Sequence, residues 1–272
     1  MEKFVMSKLS DISQLDRSSL CLENRCGKPI RIAVIDDGLI PDFTSDGVNI
    51  CNYFTYTQKI VDDSNEGFLI ISEEDTTVFT TDFFVTEYGA DTTKQVYGYD
   101  FALGPYRSGT HGTCVVNTIL KYCNDIPVEF VIYDVFDEYG SSSGTVLVEA
   151  IKDILNRNID IAVMCLTCSR EYENEFLKLR ESVLEKGIII LSSASNDGTD
   201  LCPSYIDYIY GVRGNDSLDF GEYTFDMDSK YQFASNTLSE IIDCGNEKIP
   251  FSGTSKATAV IGGILACYLY NQ

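Results

Sequence analysis

Short apolar runs alternate with amphipathic segments along most of the chain. Four such runs lie within residues 31–36, 128–136, 160–166 and 188–194. Each is continuously apolar instead of alternating with polar residues, which is typical of strands buried on both faces of a parallel sheet. The pattern therefore predicts at least four neighbouring, fully buried strands.

Several of the remaining segments carry apolar residues at helical spacing. Residues 114–123, 145–156 and 171–186 are predicted helices, and residues 258–270 form a fourth, preceded by a polar turn at residues 252–257. Alternation of strands and helices predicts the α/β class, with a doubly wound, mostly parallel sheet and helices on both faces.

One long segment departs from this alternation. It is rich in acidic residues, and residues 68–71 and 77–86 have the composition of β-strands, with a hairpin around residues 72–76. We interpret it as a β-rich insertion within a single domain, not as a second domain. The predicted organisation is an N-terminal extension at residues 1–29 and one domain at residues 30–272, with the insertion at about residues 39–107.

Composition narrows the classes of partner. The chain has 272 residues, 44% of them hydrophobic, and a formal net charge of −22. This hydrophobic content is that of a globular protein, and the negative charge disfavours nucleic acids and anionic membranes as partners. A basic peptide would be attracted, although solubility alone also accounts for the acidity.

The ends of the chain and the cysteines bear on location. Residues 1–10 contain no apolar signal-peptide core, and the longest apolar run, residues 259–270, is too short to span a bilayer. The 10 cysteines are therefore expected to be reduced thiols in the cytoplasm. The CxxC pair Cys165 and Cys168 follows a strand without a helix start after it, which favours packed thiols over a redox or metal site.

Four polar residues stand where the ends of strands and helices should meet. Asp36 and Asn196 follow predicted strands, while His111 and Ser255 stand at predicted helix starts. At a helix N-terminus a serine lies beside unpaired backbone amides, which can hold an oxyanion. Its hydroxyl needs a base, and His111 is the only histidine of the chain. A carboxylate such as Asp36 would orient the imidazole, although its neighbour Asp37 is a competing candidate.

These residues stand in motifs that resemble those of the subtilisin-family (subtilase) serine peptidases. The resemblance rests on AVIDDG ending at Gly38, HGTCVV beginning at His111, SNDG around Asn196, and GTSKA around Ser255. It implies a subtilisin-like fold and an Asp36–His111–Ser255 triad. It also implies that Asn196 and the Ser255 amide form the oxyanion hole.

The sequence also departs from the family's pattern. The stretch Cys165, Leu166, Thr167 and Cys168 stands where the family has a Ser-Leu-Gly-Gly wall of the specificity pocket, so we expect a narrowed pocket. Lys256 replaces the methionine that usually follows the nucleophile. Asp197 would favour a basic residue before the scissile bond, with a solvated loop acid as the alternative. Calcium binding by the acidic insertion is conceivable, but no ligand spacing assigns it, and we predict no cofactor and no metal site.

The sequence thus predicts a selective intracellular serine endopeptidase that acts through an acyl-enzyme on peptide or protein substrates, such as a protease that removes a leader peptide. Two alternatives stay open: a peptide ligase or macrocyclase of the same fold, and a non-catalytic peptide-binding pseudoprotease. The substrate and the oligomeric state are not encoded in any motif that we identify.

Overall fold

The computed structural model describes residues 28–40, 43, 49–58, 69–73, 75–79, 83–89, 109–123, 126–136, 142–244 and 247–271. The strands between residues 49 and 89 are described by their backbone alone. The predicted N-terminal extension lies outside the described residues up to Gly27, and so does most of the loop structure of the predicted insertion.

An 11-stranded sheet forms the centre of the molecule, with the spatial order β10-β11-β9-β8-β7-β1-β6-β2-β5-β3-β4. The seven strands from β11 to β2 in this order are all parallel to their neighbours. A two-stranded antiparallel ribbon, β12–β13, stands apart from this sheet. The strands are β1 (Ile30–Asp36), β2 (Asn49–Gln58), β3 (Leu69–Glu73), β4 (Asp75–Phe79), β5 (Phe83–Gly89), β6 (Val128–Asp134), β7 (Ile161–Met164), β8 (Ile189–Ser193), β9 (Tyr210–Gly214), β10 (Tyr223–Phe225), β11 (Phe233–Ser235), β12 (Glu240–Asp243) and β13 (Lys248–Phe251).

The helices cover both faces of the sheet, as the alternation predicted. Side chains of β1 alternate between the two faces: Ile32 and Val34 join one apolar core, and Ala33 and Ile35 join the other. The first core contains α1 and α5, and the second contains α2, α3 and α4. The helices are α1 (Thr110–Tyr122), α2 (Gly144–Ile154), α3 (Glu173–Leu177), α4 (Arg180–Lys186) and α5 (Gly253–Tyr270), with a 3₁₀ turn at Arg170–Tyr172.

One predicted helix is broken into pieces. Residues 171–186 were expected to form a single helix, but α3 ends at Leu177 and α4 begins at Arg180. Between them, the Leu179 amide donates to the Phe176 carbonyl oxygen at 2.9 Å, which is a three-residue spacing tighter than that of an α-helix. This tighter turn lets Phe176, Leu179 and Val183 all enter the core. Gly187 ends α4 in the left-handed conformation (φ 69°), as expected of a glycine after a helix.

The predicted insertion extends the sheet with four strands. β3 and β4 form the antiparallel hairpin predicted around residues 72–76. β2, which the polarity pattern did not predict, pairs in parallel with β6. Beyond β2 the sheet continues with β5, β3 and β4, in that order, to its edge. Within the described ranges, no helix is both long and apolar enough to cross a bilayer.

Candidate active site

Asp36 and His111 form the shortest contact between predicted catalytic side chains. Asp36 is the last residue of β1 and is completely buried, and His111 lies in the first turn of α1. The distance from His111 Nδ1 to Asp36 Oδ1 is 2.6 Å. Asp36 Oδ1 also accepts the Asp37 amide at 2.9 Å, whereas Oδ2 has no hydrogen-bond partner among the described residues. A buried carboxylate with so few donors depends on the imidazole for its stabilisation.

This environment favours the charged form of His111. Burial opposes the imidazolium, but the charge of Asp36, the hydrogen bond to Asp36 and the charge of Asp37 outweigh it and raise the pKa of His111 to about 9. Since Nδ1 faces Asp36, Nε2 is the ring nitrogen left to exchange a proton with another group. The side chain of His111 is 40% exposed, so such a group can reach it.

Asp37 has a separate role that the sequence did not reveal. Its Oδ1 accepts the Gly112 amide at 2.6 Å and its Oδ2 accepts the His111 amide at 3.3 Å, so the carboxylate caps the N-terminus of α1 from another segment. Gly109 precedes this helix and supplies no side-chain cap. Burial and the charge of Asp36 raise the pKa of Asp37 to about 8, although the two amides oppose the shift. Of the two candidates, Asp36 therefore contacts the imidazole, whereas Asp37 caps the helix that carries it.

The approach of β1 to α1 depends on a glycine. A Cβ atom added to Gly112 would lie 2.1 Å from the carbonyl oxygen of Gly38. No side chain fits in that space without moving the backbone. Gly112 therefore sets the spacing between the aspartate loop and the helix that carries His111.

Ser255 lies in the first turn of α5, which begins five residues earlier than the sequence predicted. Gly253 opens the helix with φ 83°, and its amide donates to the Thr237 carbonyl oxygen at 2.9 Å. The extended residue Ser252 precedes it and makes no side-chain cap. The Ser255 amide therefore belongs to the first-turn N–H groups that have no partner inside the helix.

Asn196 contacts the turn before Ser255. Its Oδ1 accepts the Thr254 amide at 2.9 Å and the Thr254 hydroxyl at 3.1 Å. Because these two donors fix the oxygen of the amide group, the nitrogen Nδ2 occupies the opposite branch and is available as a donor. The side chain of Asn196 is exposed, and it follows β8 at the edge of the sheet where β1 ends.

An aromatic contact connects the two halves of the site. The rings of His111 and Phe251 meet edge to face, with centroids 5.3 Å apart. Phe251 ends β13, four residues before Ser255. The Asp36–His111 pair and the Asn196–Thr254 turn are thus held against the same short segment, and Ser255 is the next residue after that turn.

The stretch predicted to line the specificity pocket has a mixed environment. Cys165 is buried, and its Sγ lies 3.5 Å from the Ser255 carbonyl oxygen, so it packs beneath the serine. Leu166, Thr167 and Cys168 are half-buried. Asp197 is exposed and accepts the Ser195 hydroxyl at 2.6 Å and the Thr199 amide at 2.8 Å, and these bonds lower the pKa of Asp197 to about 2. Its carboxylate is therefore ionised and organises its own loop.

Lys256, the residue after Ser255, is buried, which is rare for a lysine. Its Nζ donates to the Leu238 carbonyl oxygen at 2.6 Å and to Asn236 Oδ1 at 3.2 Å, and it lies 4.4 Å from the centre of the Phe220 ring. The segment that it contacts also contains Thr237, which accepts the Gly253 amide. Lys256 thus stabilises the loop against which the serine turn rests.

Metal binding was tested on the side chains present. In the described part of the chain, the one group of potential metal ligands is Asp36, Asp37 and His111, whose ligand atoms lie within 4.8 Å of one another. Hydrogen bonds to the imidazole and to two helix amides already occupy Asp36 Oδ1 and both carboxylate oxygens of Asp37, which leaves Asp36 Oδ2 as the one carboxylate oxygen of this group without a partner among the described residues. The donor set also lacks the six to eight oxygens that calcium prefers. This group of three side chains therefore suits proton exchange better than it suits the binding of a metal ion.

Comparison with known proteins identifies the fold. No protein-family model and no curated protein sequence matches the chain. The solved structures that match include a cold-adapted subtilisin-like serine proteinase, the prenylagaramide maturation protease PagA, and a mutant of the protease domain of PatA, with TM-scores of 0.59, 0.56 and 0.52. They are 18%, 19% and 15% identical to this chain, covering 95%, 90% and 89% of it and 81%, 76% and 80% of their own lengths. The predicted doubly wound α/β fold of the subtilisin type is confirmed. Sequence identities this low establish the fold but not the activity.

Proposed function

We propose that the protein is a serine endopeptidase that cleaves peptide bonds through an acyl-enzyme. The observation that carries the proposal is the 2.6 Å contact between the only histidine of the chain and a buried aspartate, beside a helix whose first turn contains Ser255. The subtilisin-like fold supports it, because three solved structures of this fold are described as proteases.

In this mechanism Ser255 Oγ attacks the scissile carbonyl carbon while neutral His111 accepts the hydroxyl proton at Nε2. Asp36 fixes the ring through Nδ1 and stabilises the imidazolium that forms. The Asn196 Nδ2 group and the Ser255 amide donate to the oxyanion. His111 then protonates the leaving amine, and water hydrolyses the serine ester by the same route in reverse.

The substrate that we propose is a peptide cleaved selectively, as in leader-peptide removal. Half-buried side chains at Leu166, Thr167 and Cys168 leave less room for a substrate side chain than a pair of glycines would. The net charge of −22 and the ionised Asp197 favour basic peptides. PagA, one of the structural neighbours, is described as a maturation protease. The 7 cysteines whose side chains the structure describes are free thiols, which fits a reducing compartment such as the cytoplasm.

Labelling with a fluorophosphonate tests the nucleophile. We expect one adduct on the wild-type protein, located at Ser255, and none on Ser255→Ala. Turnover of a cleaved peptide should fall about a million-fold in Ser255→Ala, the loss found when the triad serine is removed from subtilisin itself. The matched control is Ser252→Ala, which removes an exposed hydroxyl three residues away. An adduct that persists in Ser255→Ala, or a folded wild type that forms none, would refute the assignment. A cyclised or ligated product instead of a hydrolysed one would identify a ligase that uses the same acyl-enzyme.

A further inference from the structure

Two cysteines lie side by side at the end of the predicted pocket stretch. The Cys168 amide donates to the Cys202 carbonyl oxygen at 2.7 Å, and the Cys202 amide donates to the Cys168 carbonyl oxygen at 3.1 Å. They form an isolated antiparallel bridge outside the named strands. Residues that exchange both hydrogen bonds in this way have Cα atoms about 5.5 Å apart. That separation falls within the range that a disulfide spans.

The side chains of this pair are also suitably placed. Directly opposed residues of an antiparallel bridge project to the same face. Both sulfurs are free thiols. The proximity of Cys202, together with burial, raises the pKa of Cys168, and the proximity of Cys168 lowers the pKa of Cys202. The two thiols are therefore close enough to share a proton.

We propose that Cys168 and Cys202 form a reversible disulfide and so constitute a thiol-modification site beside the active site. The oxidant is a low-molecular-weight disulfide of the glutathione type. The Cys168 sulfur attacks one sulfur of this reagent as its proton passes to the neighbouring Cys202, whose pKa is lowered, and a mixed disulfide forms while one small thiol is released. Cys202 then attacks the Cys168 sulfur and expels the second small thiol. Two thiol hydrogens leave the protein and the reagent is reduced to two thiols, so atoms and electrons balance.

Exposure determines the order of attack. Cys168 is half-buried, whereas Cys202 is fully buried. A reagent therefore reaches Cys168 first, and Cys202 acts as the resolving thiol.

A second thiol pair in the chain provides an internal comparison. The sulfurs of Cys114 and Cys244 are 3.8 Å apart, but these residues are only 1% and 2% exposed. Neither sulfur is open to a reagent, so this pair should stay reduced under conditions that oxidise Cys168 and Cys202. Closeness alone does not select a reactive pair; an accessible member is also required.

The consequence for substrate binding rests on the proposed function. Cys168 ends the stretch that begins at Cys165, whose sulfur lies against the Ser255 carbonyl oxygen. A disulfide would fix the far end of this stretch to the segment before the loop at residues 203–209. We expect the oxidised form to change KM for peptides, while fluorophosphonate labelling of Ser255 continues because the triad is not part of the bridge.

The test uses the full chain in buffers with increasing ratios of oxidised to reduced glutathione, quenched with N-ethylmaleimide and analysed by intact mass and peptide mapping. We expect a disulfide between Cys168 and Cys202 that dithiothreitol reverses, before any bond between Cys114 and Cys244. Cys202→Ser should retain a stable glutathione adduct at Cys168, because the resolving thiol is missing. Cys244→Ser, the matched control, should oxidise like the wild type.

The wild-type measurement requires neither a variant nor activity, so it is independent of the proposed function. A Cys168 that stays reduced throughout, keeps a stable adduct in the wild type or pairs with another cysteine would overturn the proposal. A disulfide that forms in a protein without reactive Ser255 would leave the modification site standing and refute the peptidase alone.

Discussion

The charge state of His111 predicts an unusual dependence of catalysis on pH. A general base must be neutral, yet Asp36 and Asp37 raise the pKa of this imidazole to about 9 against the opposition of burial. At pH 7 only about one molecule in a hundred then carries the neutral base, because each pH unit below the pKa lowers that fraction about tenfold. The rate constant for fluorophosphonate labelling should therefore rise about tenfold per pH unit above neutrality and level off near pH 9.

Asp37→Asn separates the charge of Asp37 from its capping role. Asparagine keeps one oxygen for the Gly112 amide but removes the negative charge that stabilises the imidazolium. Because the pKa of Asp37 is about 8, its negative charge acts on the imidazole mainly above that pH. The midpoint of the pH profile should therefore fall below about 9, and labelling between about pH 8 and pH 9 should become faster even though an acid has been removed from the site. Labelling at pH 7, where Asp37 is mostly protonated, should change little. The plateau rate at high pH reports separately on alignment, since all the imidazole is neutral there.

A matched control is Asp197→Asn, which removes a charge from an exposed loop acid that is not among the causes of the His111 shift. Its midpoint should stay at the wild-type value. A wild-type midpoint near the ordinary histidine value of about 6.5 would refute this account of the site. An upward shift in Asp37→Asn would do the same.

Three further predictions concern the oxyanion donor, the buried lysine and stability. Asn196→Asp keeps an oxygen for the Thr254 amide but loses the Nδ2 donor. Steady-state kinetics should therefore show kcat reduced by about 100- to 1,000-fold with little change in KM. An unchanged kcat would exclude Asn196 from the oxyanion hole. Lys256→Met leaves the buried Asn236 Oδ1 and the Leu238 carbonyl oxygen without their lysine donor and should lower the free energy of unfolding in urea by about 1–3 kcal/mol. The exposed control Lys230→Met should change it by less than about 1 kcal/mol. Folding raises the pKa of His111 to about 9 and that of Asp37 to about 8, so the folded protein binds more protons than the unfolded chain. The free energy of unfolding should therefore fall as pH rises. The His111 contribution is complete below about pH 6.5 and is lost as pH passes through about 9; a higher Tm at about pH 10 than at about pH 6 would contradict this.

The fold and the candidate residues could be predicted from the sequence wherever the local pattern of residues determines the structure. Asp36, Asn196 and Ser255 follow or precede apolar runs, and their order along the chain is enough to predict one shared edge of a parallel sheet. β2 was not predicted because residues 49–58 mix polar and aromatic side chains and contain no continuous apolar run. Its place in the sheet is determined by its pairing with β6.

Contacts between distant segments could not be predicted in the same way. Nothing near Asp37 in sequence shows that it caps a helix 74 residues away. The same holds for Lys256, whose partners Asn236 and Leu238 are 20 and 18 residues distant and come from a segment with weak local pattern. Such contacts exist only once the sheet has brought remote turns together. For that reason the residues that support the site were harder to predict than the candidate catalytic residues themselves.

The position of α5 in the chain has a consequence for how the protein is made. This helix carries Ser255 at its start and is buried along nearly all of its length between the sheet and α1. It is also the last of the described elements to leave the ribosome, since synthesis runs from the N-terminus. Until it emerges, one face of the sheet has α1 but not α5 to cover it, and Ser255 is absent. A stalled or shortened nascent chain would therefore lack the proposed nucleophile and expose apolar surface, so the peptidase activity that we propose could arise only on chains that have been completed through α5.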